Sequence, residues 1–285
     1  MKSNVVIRAL SGLLYVGVMI GCLLGGQNTY CVLFAVITAI LLNEFNTLLE
    51  QHGLALVNNT VTVISGVYLF LAMFLFCSGL LGAVVFVPYL LSMMFVLISG
   101  LYIKQTNPIS TWAYSFAGQM FIALPMSLMN ALAFNEMYDY VLPLALFVLL
   151  WLNDTGAYCF GCSLSKKIPY KLFPSVSPKK SWVGSVGGGI TVLAGAWCFY
   201  YFCGNGSLLF WLGFGLVVCV FGTWGDLIES QFKRQLGIKD SGKFMPGHGG
   251  ALDRFDSALM AIPASVIYIT LFSDTFSGLR YLFDI

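Results

Sequence analysis

The sequence predicts an all-α polytopic integral membrane protein with about nine transmembrane helices and a cytoplasmic N-terminus, and three observations carry that expectation. Apolar residues make up 59% of the chain and charged residues only 9%, with a mean hydropathy of +0.86. Soluble domains hold roughly 45–50% and 25% of these classes. Apolar runs of about 20 residues, the length a helix needs to cross about 30 Å of hydrocarbon, recur from end to end and leave no room for a sizeable soluble domain. Lys and Arg, finally, collect on one side of an alternating path through those runs.

Polar breaks mark the spans at roughly 5 to 25, 28 to 48, 60 to 79, 82 to 103, 111 to 134, 138 to 160, 183 to 203, 207 to 229 and 256 to 276. The first follows Lys2 and Arg8 and runs on from Ala9 to Gly26 without a small-residue cleavage site, so it is expected to stay as a helix. The second carries an acid, Glu44, and only Gly79 to Gly82 separates the third from the fourth. The connection near Glu136 and Asp139, at the start of the sixth, is acidic. With an odd number of spans and the N-terminus inside, Lys2, Arg8, Lys104, the five lysines from Lys166 to Lys180, Lys233, Arg234, Lys239, Lys243 and Arg254 all face the cytoplasm. Thirteen of the fourteen basic residues then obey the positive-inside rule, Arg280 being the exception. The chain reads as an N-terminal transmembrane scaffold, 1–150, and a C-terminal transmembrane catalytic half, 151–285, with cytoplasmic loops 162–182 and 230–255.

The net charge of +2 conceals this asymmetry and says little about partners. Cys22, Cys31, Cys77, Cys198, Cys203 and Cys219 lie in or beside apolar runs, where cysteine acts as a small hydrophobe. Cys159 and Cys162 form a lone CxxC, which without a second pair is a weak metal or redox signal.

Chemistry gathers in the second half. WLNDTGAYCFG places Asn153 and Asp154 in an apolar segment, where an ionisable group is costly and points to a functional site or to a carboxylate satisfied by its neighbours. Ser177, Pro178, Lys179 and Lys180 lead to Ser181, a candidate N-cap; lysines beside a helix N-terminus suit a phosphate, although cytoplasmic lysines also serve as anchors. Gly184, Gly187, Gly188 and Gly189 suit close helix packing, or a close approach of backbone to a ligand. Asp226 and Glu229, three apart, share a helical face near the end of the eighth span, where the dipole disfavours acids. Asp253 and Asp256 repeat that spacing at the start of the ninth, where Asp256 and Ser257 are also ordinary N-caps. Four acids bracketing a loop of lysine, glycine and histidine offer the hard oxygen ligands that Mg²⁺ prefers.

Ser230, Lys233, Arg234, Lys239, Asp240, Gly242, Pro246, His248, Gly249, Gly250, Asp253, Arg254 and Asp256 together resemble the signature of the phosphatidate cytidylyltransferases, the CDP-diacylglycerol synthases. The resemblance covers about residues 150 to 257; the first half is similar only as a set of apolar helices with Glu44 in the second. Met245, Ala251, Val183 and Leu164-Ser165 depart from the usual pattern. The resemblance implies cytidylyl transfer from CTP to phosphatidic acid, giving CDP-diacylglycerol and pyrophosphate. It implies Asp226 and Asp253 as principal Mg²⁺ ligands with Asp256 and Glu229 nearby. Lys179, Lys180, Lys233, Arg234, Lys239 and Arg254 are implied to neutralise phosphates, with Ser177, Asn153 and Asp154 beside the substrate. Gly247, Gly249 and Gly250 would allow close backbone approach, and His248 would donate to a phosphate. A homodimer in the cytoplasmic (inner) membrane, with its active site facing the cytoplasm, belongs to the same implication, as does room for a monovalent cation such as K⁺. The alternatives are a CTP-dependent lipid kinase, an ether-lipid cytidylyltransferase, or a transporter, whose charges would instead sit at the bilayer midplane.

The distribution of Lys and Arg predicts a non-cytoplasmic C-terminus. A C-terminal reporter that is active only in the cytoplasm should be silent, and strong activity would refute the nine-span topology.

Overall fold

The computed structural model describes residues 2–102, 107–135, 137–164, 169–203, 206–242 and 249–272, with side chains from residue 9 onward. It is a helical protein, as its composition requires. The helices are α1 (Lys2–Leu24), α2 (Gln27–Gln51), α3 (Asn59–Cys77), α4 (Val87–Tyr102), α5 (Pro108–Gly118), α6 (Leu124–Ala133), α7 (Val141–Leu164), α8 (Trp182–Cys203), α9 (Leu208–Gln235) and α10 (Leu252–Phe272). A 3₁₀ turn, Ala83–Phe86, precedes α4, and a π turn, Gln119–Ala123, joins α5 to α6. Pro125 has no N–H for the carbonyl four residues back, and the widened turn just ahead of it accommodates that break.

Among the described residues eight stretches are long and apolar enough to cross a membrane: Gln27–Gln51, Asn59–Cys77, Ala83–Tyr102, Pro108–Ala133, Val141–Leu164, Trp182–Cys203, Leu208–Gln235 and Leu252–Phe272. The remaining expected span corresponds to α1, whose shorter described apolar part is Ala9–Leu24. Two short antiparallel ladders stand outside the all-α expectation. β1 (Phe134–Asn135) pairs with β2 (Met137–Tyr138), and β3 (Lys171–Phe173) pairs with β4 (Ser177–Ser181) with Lys171 opposite Ser181.

The chain divides into two compact units, Met1–Tyr138 with Asp240–Arg254, and Asp139–Lys239 with Phe255–Ile285. In the first, the side chains of Tyr30, Phe34, Phe70 and Tyr138 cluster with ring centroids 4.9 to 6.2 Å apart. Polar side chains link its helices: Asn46 Nδ2 donates to Thr62 Oγ1 at 2.8 Å, and Gln119 Nε2 donates to the Thr62 carbonyl at 2.8 Å. Such links matter between membrane helices, where lipid leaves no water to satisfy them.

The second unit is built on the close approach of α7 and α8. Gly184 and Gly188 are four apart and present one backbone strip, the small-xxx-small pattern that lets helices touch. A Cβ on Gly184 would lie 2.9 Å from the Ala157 carbonyl oxygen, and one on Gly188 would lie 2.9 Å from the Asn153 carbonyl oxygen. Thr191 donates to the Leu152 carbonyl at 3.0 Å across the same seam. Gly184 and Gly188 therefore serve packing.

Gly188→Ala should lower the apparent melting temperature in detergent by an amount matching roughly 1–3 kcal/mol of overpacking. Gly17→Ala in α1, where nothing lies within 4 Å of an added Cβ, should leave it unchanged or raise it slightly. Equal shifts would refute the packing role.

Candidate functional site

In the second unit, the β3–β4 hairpin carries two of the expected phosphate-binding lysines. Lys179 and Lys180 lie on β4, and Ser181 Oγ accepts from the Gly184 amide at 3.2 Å, capping α8 as its sequence suggested. Lys180 Nζ reaches Asp226 Oδ2 of α9 at 2.6 Å. One turn on, Ser230 Oγ donates to Asp226 Oδ1 at 3.1 Å, and Lys233 Nζ pairs with Glu229 Oε2 at 2.5 Å, both i,i+4 contacts of a continuous helix. Glu229 and Lys233 are buried, so each depends on the other's charge. On α10, Asp256 Oδ1 accepts from the Ser257 amide at 2.6 Å. Gly225 has no side chain, and a Cβ there would press on the Asp256 carbonyl and the Ser257 backbone. That closeness leaves Asp256 in the electrostatic field of Asp226, Glu229 and Asp154.

A cavity of about 400 Å³ opens at these groups. Asn153, Asp154, Tyr158, Lys179, Lys180 and Asp226 are among the side chains lining it, together with Ser185, Thr223 and Ser257. Its size falls in the range of small-molecule sites. Asp154 is exposed in the cavity wall, whereas Asn153 is buried and ties helices together. Asn153 Nδ2 donates to Thr223 Oγ1 at 3.3 Å, and its Oδ1 accepts from Cys219 Sγ at 3.2 Å.

In the first unit, two carboxylates bind Ser241 and the backbone from Gly250 to Leu252. Asp253 Oδ2 accepts from the amides of Ser241 at 3.0 Å and Gly250 at 2.8 Å. Glu44 of α2 accepts from the amides of Ala251 at 2.8 Å and Leu252 at 3.1 Å, and from Ser241 Oγ through a short hydrogen bond. Gly249 has φ +89°, a left-handed conformation that favours glycine.

The profile of the cytidylyltransferase family matches residues 6–272. The chain belongs to the cytidylyltransferase family. Among similar proteins, a phosphatidate cytidylyltransferase of Staphylococcus aureus (strain COL) is 46% identical over 118 residues, 41% of this chain and 44% of the relative. One of Staphylococcus haemolyticus (strain JCSC1435) is 44% identical over 119 residues, 41% and 44% of the two chains. A third, from Haemophilus influenzae (strain ATCC 51907), is 42% identical over 125 residues, 42% of each. The match thus spans less than half the length of these curated relatives.

For this cytidylyltransferase-family chain the structure redraws two helix ends. The loop expected from residue 230 is helical through Gln235, so Asp226 and Glu229 lie inside α9, not at its C-terminal end. The i,i+4 pairs and the basic last turn, Lys233 and Arg234, sustain the extra turns. α10 likewise begins at Leu252, which puts Asp253 in its first turn and Asp256 beyond the position of an N-cap. The capping alternative for Asp256 is therefore discarded, and the amides at that end are held by Glu44 and Asp253.

The second unit brings together Asn153, Asp154, Lys179, Lys180, Asp226, Glu229, Lys233 and Asp256. Ser177 opens β4; Arg234 donates to the Ile238 carbonyl at 2.9 Å at the end of α9, and Lys239 is exposed. Gly249, Gly250, Asp253 and Arg254 belong to the first unit. At Gly250 the close backbone approach is made by the protein's own groups, since a Cβ there would overlap Glu44 and Ser241 Oγ. His248, Gly247 and Lys243 lie outside the described residues. Among the described residues no three His, Cys, Asp or Glu side chains form a ready metal cage. Sequence reasoning assigns Glu44 no role, although an acid in an apolar span is the signal that could have found it.

If Asn153 is chiefly a tie between α7 and α9, Asn153→Leu should reduce stability by about 1–3 kcal/mol. Thr223→Val should add little in that background, because both remove one contact. Additive losses in detergent melts would refute the tie.

Proposed function

We propose that this protein transfers the cytidylyl group of CTP to phosphatidic acid, giving CDP-diacylglycerol and pyrophosphate. The observation that carries the proposal is the cavity in which Lys179 and Lys180 meet Asp226, in a chain of this family whose relatives bear the name phosphatidate cytidylyltransferase. In the reaction an oxygen of the lipid phosphate forms a bond to the α-phosphorus of CTP. The bond from that phosphorus to the bridging oxygen of the β-phosphate breaks, and pyrophosphate leaves with the electron pair. Both reactants are anions, so the protein's task is positioning and neutralisation.

Lys180 and Lys179 are placed to hold phosphate oxygens. A phosphate bound by Lys180 would loosen its ion pair with Asp226, whose carboxylate could then hold a divalent cation. Asp226 and Asp256 are the groups that would hold Mg²⁺, with Glu229 behind them. Their hard oxygens fit the ion, which typically takes one or two carboxylates and completes its shell with water and substrate phosphates. A three-acid cage is therefore not required. Bound there, Mg²⁺ would supply positive charge to the phosphate oxygens. Lys239, His248 and Arg254 are further candidates for phosphate neutralisation, and Ser177, Asn153 and Asp154 for substrate contact. The basic loops favour a site facing the cytoplasm, in the inner membrane. The homodimer and the monovalent cation rest on the family resemblance alone.

Purified protein in detergent, supplied with labelled CTP, phosphatidic acid and Mg²⁺, should place label in a lipid and release pyrophosphate. Release of CDP with phosphorylation of a lipid alcohol would replace this reading with a lipid kinase. Asp226→Asn and Asp253→Asn should each fold and lose turnover by about 100-fold or more, and what remains in Asp226→Asn should need more Mg²⁺. Asn still accepts hydrogen bonds, so near-normal turnover by Asp253→Asn would confine that residue to its two amide contacts.

A further inference from the structure

Glu44 lies in α2, about two turns before the end of that helix, yet its carboxylate is spent on a segment some 200 residues later. It accepts from Ser241 Oγ and from the amides of Ala251 and Leu252, at 2.8 and 3.1 Å. Those two amides belong to the start of α10, where the first N–H groups have no partner within the helix and where negative charge is favoured by the dipole. Ser241 is buried at 5% exposure. Its backbone amide donates in turn to Asp253 Oδ2 at 3.0 Å, which also accepts from the Gly250 amide at 2.8 Å. Ser241 therefore touches both carboxylates, one through its hydroxyl and one through its amide. The two acids are linked through one residue and close on the same strand of backbone.

The glycines beside them are shaped to this arrangement. A Cβ on Gly242 would lie 2.9 Å from Glu44 Oε2 and 3.4 Å from the Gly250 Cα. One on Gly250 would overlap Glu44 and Ser241 Oγ. Both positions thus let a carboxylate from α2 reach backbone amides that side chains would otherwise cover. Asp253 is the residue that benefits. Its carboxylate is oriented by the amides of Ser241 and Gly250, while Glu44 holds the Ser241 side chain and the next two amides, those of Ala251 and Leu252.

We propose that Glu44 is a positioning residue: it clamps Ser241 to the start of α10 at Ala251 and Leu252 and thereby sets the orientation of Asp253 for the transfer reaction. The role in the reaction rests on the function proposed above, whereas the clamp itself does not.

The test has one arm for each. Hydrogen exchange at residues 241–242 and 249–255 is measured in the wild-type protein and in Glu44→Gln, in detergent, with neither CTP nor Mg²⁺ present. Gln keeps the size but loses the charge and one acceptor, and the segment should exchange about tenfold faster while α7 to α9 keep their protection. Ser241→Ala, which removes a single contact, should loosen the same segment to a smaller degree, and it serves should Glu44→Gln fold poorly. Unchanged exchange in both variants overturns the clamp whatever the protein catalyses. In the turnover assay Glu44→Gln should lower kcat by about tenfold and leave the KM for CTP within about twofold. In an Asp253→Asn background it should have almost no further effect, because the two act as one unit. A full additional loss in that background would mean that Glu44 acts other than through Asp253. Faster exchange with unchanged kcat would likewise overturn the positioning role. If the wild type transfers no cytidylyl group, the function above fails while the exchange arm still decides the clamp.

Discussion

A carboxylate placed near hydrocarbon must be matched by a positive charge or by hydrogen-bond donors, and the arrangement of polar groups in this protein follows from that constraint. The two units meet it differently. In the second, ammonium groups supply the match: Lys180 for Asp226 and Lys233 for Glu229. In the first, backbone amides do so, with Ser241, Gly250, Ala251 and Leu252 donating to Glu44 and Asp253. An amide is a fixed partner that cannot leave without unfolding its segment. An ammonium on a flexible stem can exchange one anion for another. The lysine-matched pairs can therefore exchange partners, whereas the amide-matched contacts hold their shape.

Packing makes these matches possible. The glycine strip of α8 lets α7 approach, and α7 then presents Asn153 and Asp154 to the same cavity as the hairpin lysines. Gly225 of α9 does the equivalent for α10, admitting the backbone of Asp256 and Ser257 beside Asp226. A side chain at either place would push the polar groups of neighbouring helices apart. Glycines in this family member thus act on electrostatics at one remove, through helix spacing.

Much of this could be read in the residues. The helices agree with the expected spans to within a few residues at most ends, because apolar runs and their polar breaks are governed by the bilayer and need no knowledge of neighbours. Ser181 as a cap, Lys179 and Lys180 beside it, and Asp226 with Glu229 on one face were legible for the same reason, since each depends on spacing within a few residues. The ends of α9 and α10 were not. Six residues counted as loop, Ser230 to Gln235, are helical because Glu229 and Asp226 find partners four residues on. The residues that open α10 are helical because an acid from another helix holds their amides.

By itself the sequence determined that this is an all-α membrane protein and which residue types gather in its polar loops, because composition, period and local spacing are properties of the chain. Only the tertiary structure decided which acid meets which donor. Lys180 and Asp226 are 46 positions apart, and Glu44 and Ala251 are separated by 207. Nothing in local spacing distinguishes these pairs from other combinations of the same residue types, since the choice is made by how the helices pack. That is why Asp154 could be noticed as a costly charge but not joined to the field of Asp226, Glu229 and Asp256. It is also why Glu44, visible as an acid in an apolar span, acquired a role only when the chain was folded.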